Sequence, residues 1–224
     1  MVKPTSIDNI VAKFLTKILL PITGEPDYDC ISQLNQIIYG NAATLPTTLG
    51  GGAHGRVGLI MKATLYVTLA ATSYVTPNEP PLTPDVPTTK TRASRQQLQD
   101  QHAEEHRIFT HHVNMDDALK TQLLDAVEDP YVSELRTRYT RYMGVTTRDL
   151  LDHLMDRYGN ITAADLKANE ACINEALDNS RPIDVFFQRI DDAVQYADDG
   201  KKPFTAKQIL QTAFDSVYAT GLYQ

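Results

Sequence analysis

The sequence predicts an all-α protein. Large apolar residues recur at steps of three or four along nearly the whole chain, which is the period of one face of a helix. Ser, Thr and Asp stand directly before many of these runs, where they can cap a helix N-terminus. Links of three to six residues join the later runs, and such short links favour an antiparallel helical bundle.

The first seventy residues or so contain three candidate helices. The first covers residues 7–20 and stops at Pro21, and the second follows Asp27 and Asp29. The second helix carries the apolar stripe Ile31, Leu34 and Ile38. The third covers residues 61–71, where the Thr and Val content leaves a strand open as the alternative.

Two irregular stretches interrupt this first region. Residues 45–60 hold five of the eleven glycines, and residues 76–90 hold five of the twelve prolines. Proline cannot donate to a helix or to a β-ladder. We therefore predict a Gly-rich loop over residues 45–60 and an exposed, extended Pro-rich loop over residues 72–91.

From residue 91 onward the pattern is helical throughout. The predicted helices cover residues 92–112, 115–127, 131–142 and 147–158, followed by three helices whose first residues lie near 162, 182 and 205. Thr162 with Asp165, and Thr205 with Gln208, have the spacing of a capping box. Pro182 is expected in the first turn of its helix, where a missing N–H costs nothing.

Composition and charge narrow the class of protein. Apolar residues make up 42% and charged residues 22% of the chain, which is ordinary for a globular protein. Basic and acidic residues balance at nine each in 1–112, so the whole net charge of −7 comes from 113–224. Neither half has the basic excess of a nucleic-acid-binding surface. We expect a cytoplasmic protein without a membrane partner, because no apolar run approaches the ~20 residues that span a bilayer.

The glycine run matches G-x-G-x-x-G from Gly50 to Gly55, the pattern of a phosphate-binding loop. No β-like run precedes it, and Arg56 stands where a P-loop needs Lys. We therefore predict no nucleotide or other cofactor there. We expect the segment to contact a neighbouring subunit, another partner or the protein's own core. The residues assigned to this contact are Gly50, Gly51, Gly52, His54, Gly55 and Arg56.

His102 and His106 lie four residues apart, so they share one helical face and could bind zinc together. The metalloprotease pattern requires Glu directly after the first His, and Ala103 occupies that position. A solvated polar helix is the preferred interpretation. Cys30 and Cys172 are far apart in the chain, and reduced thiols are the simpler interpretation, with a disulfide left open. We predict no catalytic residue, no metal ligand and no small-molecule substrate.

Several motifs, taken in chain order, resemble the Gag capsid region of copia-type LTR retrotransposons, the variety abundant in microalgal genomes. They are NAA at 41–43, LGGGAHGRVGL at 49–59, ALKTQLLDAV at 118–127, LLDHL at 150–154 with YG at 158–159, ITAADL at 161–166 with Asn169, RPIDVFF at 181–187 and Gly-Leu-Tyr at 221–223. Each motif alone is weak. The ordered set covers most of the chain.

This resemblance implies a two-lobe helical capsid protein that assembles with itself into a particle around the RNA of the element. The N-terminal lobe would cover residues 1–159 and the C-terminal lobe residues 160–224. No zinc-knuckle Cys/His cluster is present, so RNA would be bound by another segment and enclosed only indirectly. The C-terminal lobe has three predicted helices where relatives have more, and a piece of a longer polyprotein is one interpretation.

Two other classes of function stay open from the sequence. A domesticated Gag-derived adaptor would use the same fold to bind a cellular protein. A metal-dependent helical enzyme using His102 and His106 is the least favoured. We expect a structural protein and not an enzyme.

Overall fold

The computed structural model describes residues 6–85, 87 and 91–221. This part of the chain contains nine α-helices and three short 3₁₀ turns, with no β-strand, so the all-α prediction is confirmed. The chain divides into two compact units, Met1–Gly159 and Asn160–Gln224.

The helices of the first unit are α1 Ile7–Val11, α2 Tyr28–Ala43, α3 Ala63–Ala70, α4 Arg92–Ala126, α5 Asp129–Val132 and α6 Thr147–Tyr158. The unit is built on three mutually packed helices, α2, α4 and α6, with α1 packed on α4. Fully buried side chains at their centre include Ile31, Ile38, Met115, Leu119, Leu150 and Leu154. This is the apolar face that the helical period predicts.

Local signals set several helix boundaries of this unit as the sequence predicts. The Asp27 carboxylate accepts a hydrogen bond from the Cys30 amide at 2.8 Å and caps α2. Helix α6 begins at Thr147 as predicted, and a capping box of Thr146 and Asp149, which was not among the predicted ones, stands at its start. Residues 63–70 form a helix, so the strand alternative for this stretch is wrong.

The predicted helix over residues 7–20 ends at Val11. Directly after it, the Lys13 and Phe14 amides still donate to backbone carbonyls, whereas the backbone of Thr16 and Lys17 bonds to buried side chains. Asn41 of α2 accepts from the Thr16 amide at 2.9 Å and donates to the Thr16 carbonyl at 2.8 Å. Gln122 of α4 donates to the Lys17 carbonyl at 2.7 Å. These amides satisfy the backbone groups that a longer helix would have paired internally.

The predicted helix over residues 131–142 is wrong. Helix α5 ends at Val132, a 3₁₀ turn follows, and the chain doubles back so that Thr137 and Arg141 form an isolated β-bridge. The Asp129 carboxylate accepts from Arg136 at 2.7 Å and from the Tyr142 hydroxyl at 3.0 Å. This carboxylate therefore joins the two ends of the turn.

Helix α4 is continuous over Arg92–Ala126, whereas the sequence predicts two separate helices over residues 92–112 and 115–127. Its N-terminal half is largely outside the core, and its buried positions begin at Met115. Within the described residues, no helix combines the length and apolar character needed to cross a bilayer.

The second unit contains α7 Ala163–Ile173, α8 Ile183–Asp199 and α9 Ala206–Tyr218, with α8 packed against both neighbours. Its small core is formed by Ile173, Phe186, Ile190 and Ala193. The two predicted capping boxes, at Thr162 and Thr205, are confirmed. Pro182 lies directly before α8 and not within its first turn.

The Pro-rich loop has no helix over residues 72–85. Leu82 is 92% exposed, whereas Pro80 is buried. Val86 and residues 88–90 of the predicted loop lie outside the described residues, as do residues 222–224, which include the end of the Gly-Leu-Tyr motif.

Candidate functional site

The glycine segment, defined as residues 45–60, joins α2 to α3 and contains every residue that the sequence assigned to a contact. It forms two 3₁₀ turns, Leu49–Gly51 and Val57–Leu59. The left-handed backbone occurs at three positions, with φ of 62° at Gly50, 78° at Gly52 and 55° at Gly55. Other residues rarely adopt such values, so this path depends on glycine.

Close packing adds a second requirement at all three glycines, and at Gly52 a Cβ atom would lie 2.6 Å from the Thr47 carbonyl oxygen. A Cβ atom at Gly50 would lie 2.7 Å from the hydroxyl oxygen of Tyr66 on α3. A Cβ atom at Gly55 would lie 2.5 Å from the Ala43 carbonyl oxygen at the end of α2. The segment is therefore fitted against α2 and α3 of its own unit.

Hydrogen bonds hold both ends of the glycine segment. The Gly50 carbonyl accepts from the Tyr66 hydroxyl at 2.8 Å and from the Thr72 hydroxyl at 3.0 Å. Arg148 of α6 donates to the Gly58 carbonyl at 2.9 Å and to two further carbonyls after it. The loop is thus anchored to two helices and to the start of the Pro-rich loop.

The structure brings the predicted contact residues together but buries half of them. Gly50, Gly55 and Arg56 are buried, Gly52 and His54 are half-buried, and Gly51 lies in the first 3₁₀ turn. The Arg56 amide also donates to the Ala42 carbonyl at 2.9 Å. Contact with a partner through this segment stays a prediction, and among the five members whose burial is described, Gly52 and His54 are those that solvent reaches.

Arg56 is the unusual member of the segment, because its side chain is buried, with the residue only 5% exposed. Its Nε and Nη1 atoms have no hydrogen-bond partner among the described residues. Burial lowers the pKa of Arg56, and the neighbouring Tyr74 hydroxyl opposes that shift. A buried cation without a carboxylate partner is costly for a fold.

Two consecutive histidines of α4 complete what we call the Arg56 cluster, which comprises Arg56, Tyr74, His111 and His112. Burial first, and the positive charge of Arg56 second, lower the pKa of both His111 and His112 to about 4. The Tyr74 hydroxyl lies 3.4 Å from Nδ1 of His112. Both imidazoles are therefore neutral at pH 7, and the cluster presents N–H donors beside a cation.

This cluster was not predicted from the sequence. The available signal was the position of His111 and His112, where the polar half of α4 passes into its buried stripe at Met115. A polar side chain at the border between the exposed and the buried face of a helix is expected to be partly buried. Which groups surround it depends on the glycine segment, more than fifty residues away in the chain.

The side chains of His102 and His106 contact another part of the chain, whereas on a fully solvated helix they would contact only water. The Nε2 atoms of both residues lie within hydrogen-bond distance of the Pro81 carbonyl oxygen, at 2.7 Å and 3.0 Å. Across the described residues, no group of three or more His, Cys, Asp or Glu side chains is arranged to hold a metal ion. Cys30 and Cys172 are both free thiols in the described part of the chain.

Exposed apolar side chains mark several helices. On α9, Leu210, Phe214 and Tyr218 are 60%, 57% and 57% exposed, and their spacing of four places them on one face. We call these three residues the α9 stripe. Further large exposed apolar residues include Leu65, Val67 and Leu69 on α3, Leu15, Ile18 and Leu20 after α1, and Ile183 and Phe187 on α8. Exposed apolar patches of this kind commonly mark interaction sites.

Comparison with protein-family models, with curated proteins and with solved structures finds no match to this chain. The resemblance to copia-type Gag thus depends on the sequence motifs, and the interpretation of the surfaces depends on the structure of the chain itself.

Proposed function

We propose that this chain is a structural protein that assembles with copies of itself, as a Gag capsid protein of a copia-type LTR retrotransposon would. The α9 stripe carries the proposal. Three large apolar side chains stay more than half exposed on one helix face, and a second copy would remove them from water. The motif resemblance and the all-helical fold support the capsid class.

The charges of α9 favour a second copy as the occupant of this face. Lys207 lies in the first turn of α9 and Asp215 near its end, and both are exposed. When two α9 helices pair in antiparallel orientation, Lys207 of each lies towards the end of the other that holds Asp215. Such a surface is complementary to itself, as a two-fold interface requires.

The remaining parts of the proposal follow from the charge of the chain and from the resemblance. The net charge is −7, so RNA would be held by another segment and enclosed by the assembled shell. Assembly would take place in the cytoplasm. Closed particles seen by electron microscopy would support a capsid over a simple dimer.

Phe214→Glu tests the contact. We expect the mass of the nuclease-treated wild type, measured by light scattering, to rise with concentration, and that of the variant to stay near the monomer value. Phe214 is 57% exposed, so a charge there leaves the core of the unit intact. Lys167→Gln is the matched control, because it changes the net charge by the same amount at an exposed position of α7.

Two results would count against the proposal. Wild-type protein that is monomeric at every concentration would contradict self-assembly and favour the adaptor class. Assembly that is equally strong in Phe214→Glu and in the control would show that copies meet through a surface other than the α9 stripe.

A further inference from the structure

One carbonyl oxygen of the Pro-rich loop faces two imidazoles of α4. The Pro81 oxygen lies 2.7 Å from Nε2 of His102 and 3.0 Å from Nε2 of His106. The two rings are 4.6 Å apart between centroids. Three potential ligand atoms therefore converge from two separate segments of the chain.

Each of these atoms can bind a metal ion. A carbonyl oxygen only accepts, so each imidazole here donates its Nε2–H to Pro81, and a bound ion would replace these two hydrogen bonds once each ring proton has moved to Nδ1. The Nε2 lone pair is then free to bind, and histidine is the commonest protein ligand for metal ions. A spacing of four on a helix directs both rings to the same side. The carbonyl oxygen of Pro81 supplies a third ligand that bears no proton.

Although the sequence alone predicts no metal ligand, we propose that His102, His106 and the Pro81 carbonyl form a site for a divalent transition-metal ion, independent of the self-assembly function. Ligand atoms ~2.0–2.1 Å from one ion are ~2.9 Å apart at right angles and ~3.3 Å apart in a tetrahedron. The observed N···O distances of 2.7 Å and 3.0 Å are those of hydrogen bonds, and they bring the three ligand atoms to within a few tenths of an ångström of these separations. Imidazole ligands suit Ni²⁺, Cu²⁺ and Zn²⁺ alike, with water in the remaining positions.

The role of such an ion is structural. Leu82, next to the carbonyl ligand, is 92% exposed, and Pro80 on the other side is buried. An ion bound here fastens this part of the Pro-rich loop to the polar half of α4. Metal binding stabilises the conformation that contains the complete site.

Calorimetric titration with Ni²⁺ in a buffer that does not chelate metals tests the site. We expect one ion per chain, and an affinity reduced about tenfold or more in His102→Gln and in His106→Gln. His54→Gln is the matched control, because it removes a histidine from the glycine segment and leaves both ligands in place. An absence of binding, or binding that is unchanged in either ligand variant, would overturn the proposal.

Proteolysis tests the carbonyl ligand, which substitution cannot remove. Chymotrypsin can cleave after the exposed Leu82, and we expect Ni²⁺ to slow this cleavage in the wild type but not in His106→Gln. A peptide substrate shows whether Ni²⁺ inhibits the protease itself. Histidine-dependent binding with an unchanged cleavage rate would overturn the part assigned to Pro81.

Discussion

Single residues of the Arg56 cluster couple the stability of the protein to pH. The pKa of His111 and His112 is about 4 in the folded chain, against an ordinary value of 6.5. Between these two values the unfolded chain binds more protons than the folded one. The stability that comes from burying the two neutral imidazoles is therefore present above pH 6.5 and is lost as the pH falls towards 4.

We predict that replacing both histidines flattens this dependence. In the double variant His111→Gln and His112→Gln, the free energy of unfolding should fall less steeply between pH 6.5 and pH 4 than in the wild type. Urea denaturation followed by far-UV circular dichroism at several pH values measures it. His54→Gln serves as the control and should keep the wild-type slope. Parallel curves for wild type and double variant would contradict the prediction.

At the scale of secondary-structure elements, two buried side-chain amides hold α2, α4 and the segment after α1 together. Asn41 is fully buried and Gln122 is 7% exposed, and the Asn41 side chain donates to the Gln122 side chain at 3.0 Å. Together these two side chains form hydrogen bonds with the backbone amide and carbonyl of Thr16 and with the carbonyl of Lys17. They thus join α2 and α4 to the segment after α1.

We predict that Asn41→Ala lowers the free energy of unfolding by about 2–4 kcal/mol, because the substitution leaves the Thr16 amide and carbonyl with fewer partners in a buried place. Urea denaturation measures the change. Gln36→Ala removes an exposed amide from the same helix and should cost far less. A similar effect of both substitutions would show that the buried network contributes little.

At the scale of the whole molecule, charge opposes assembly. Each copy carries −7, and residues 160–224 alone hold six basic against ten acidic residues. The screening length falls from ~10 Å at 0.1 M salt to ~3 Å at 1 M, which removes most repulsion between exposed charges. Apolar contacts such as the α9 stripe are not weakened by this screening.

We therefore predict small oligomers at low ionic strength and larger assemblies at high ionic strength, for nuclease-treated protein measured by light scattering. Assembly driven by nucleic acid would have the opposite trend, because salt weakens phosphate contacts. Phe214→Glu should suppress the growth at high salt, whereas Lys167→Gln should not. Assemblies that dissolve as salt is raised would contradict this prediction.

The sequence by itself determined the features whose interactions stay within a few residues. The predicted capping boxes at Thr162 and Thr205 each join residues three apart, and α7 and α9 begin where these signals stand. The apolar period likewise depends only on neighbouring turns of the same helix. Such signals are local, so they can be recognised before the chain is folded.

Tertiary structure decided the features that depend on distant partners. The chain after Val11 leaves the helix because Gln122 reaches Lys17 across 105 residues. The pair His102 and His106 is visible in the sequence, but the carbonyl that faces it comes from Pro81, 21 residues before the first of them. The reason is physical: a buried polar group bonds to whatever the packed chain brings within about 3 Å, and helical period does not encode that partner.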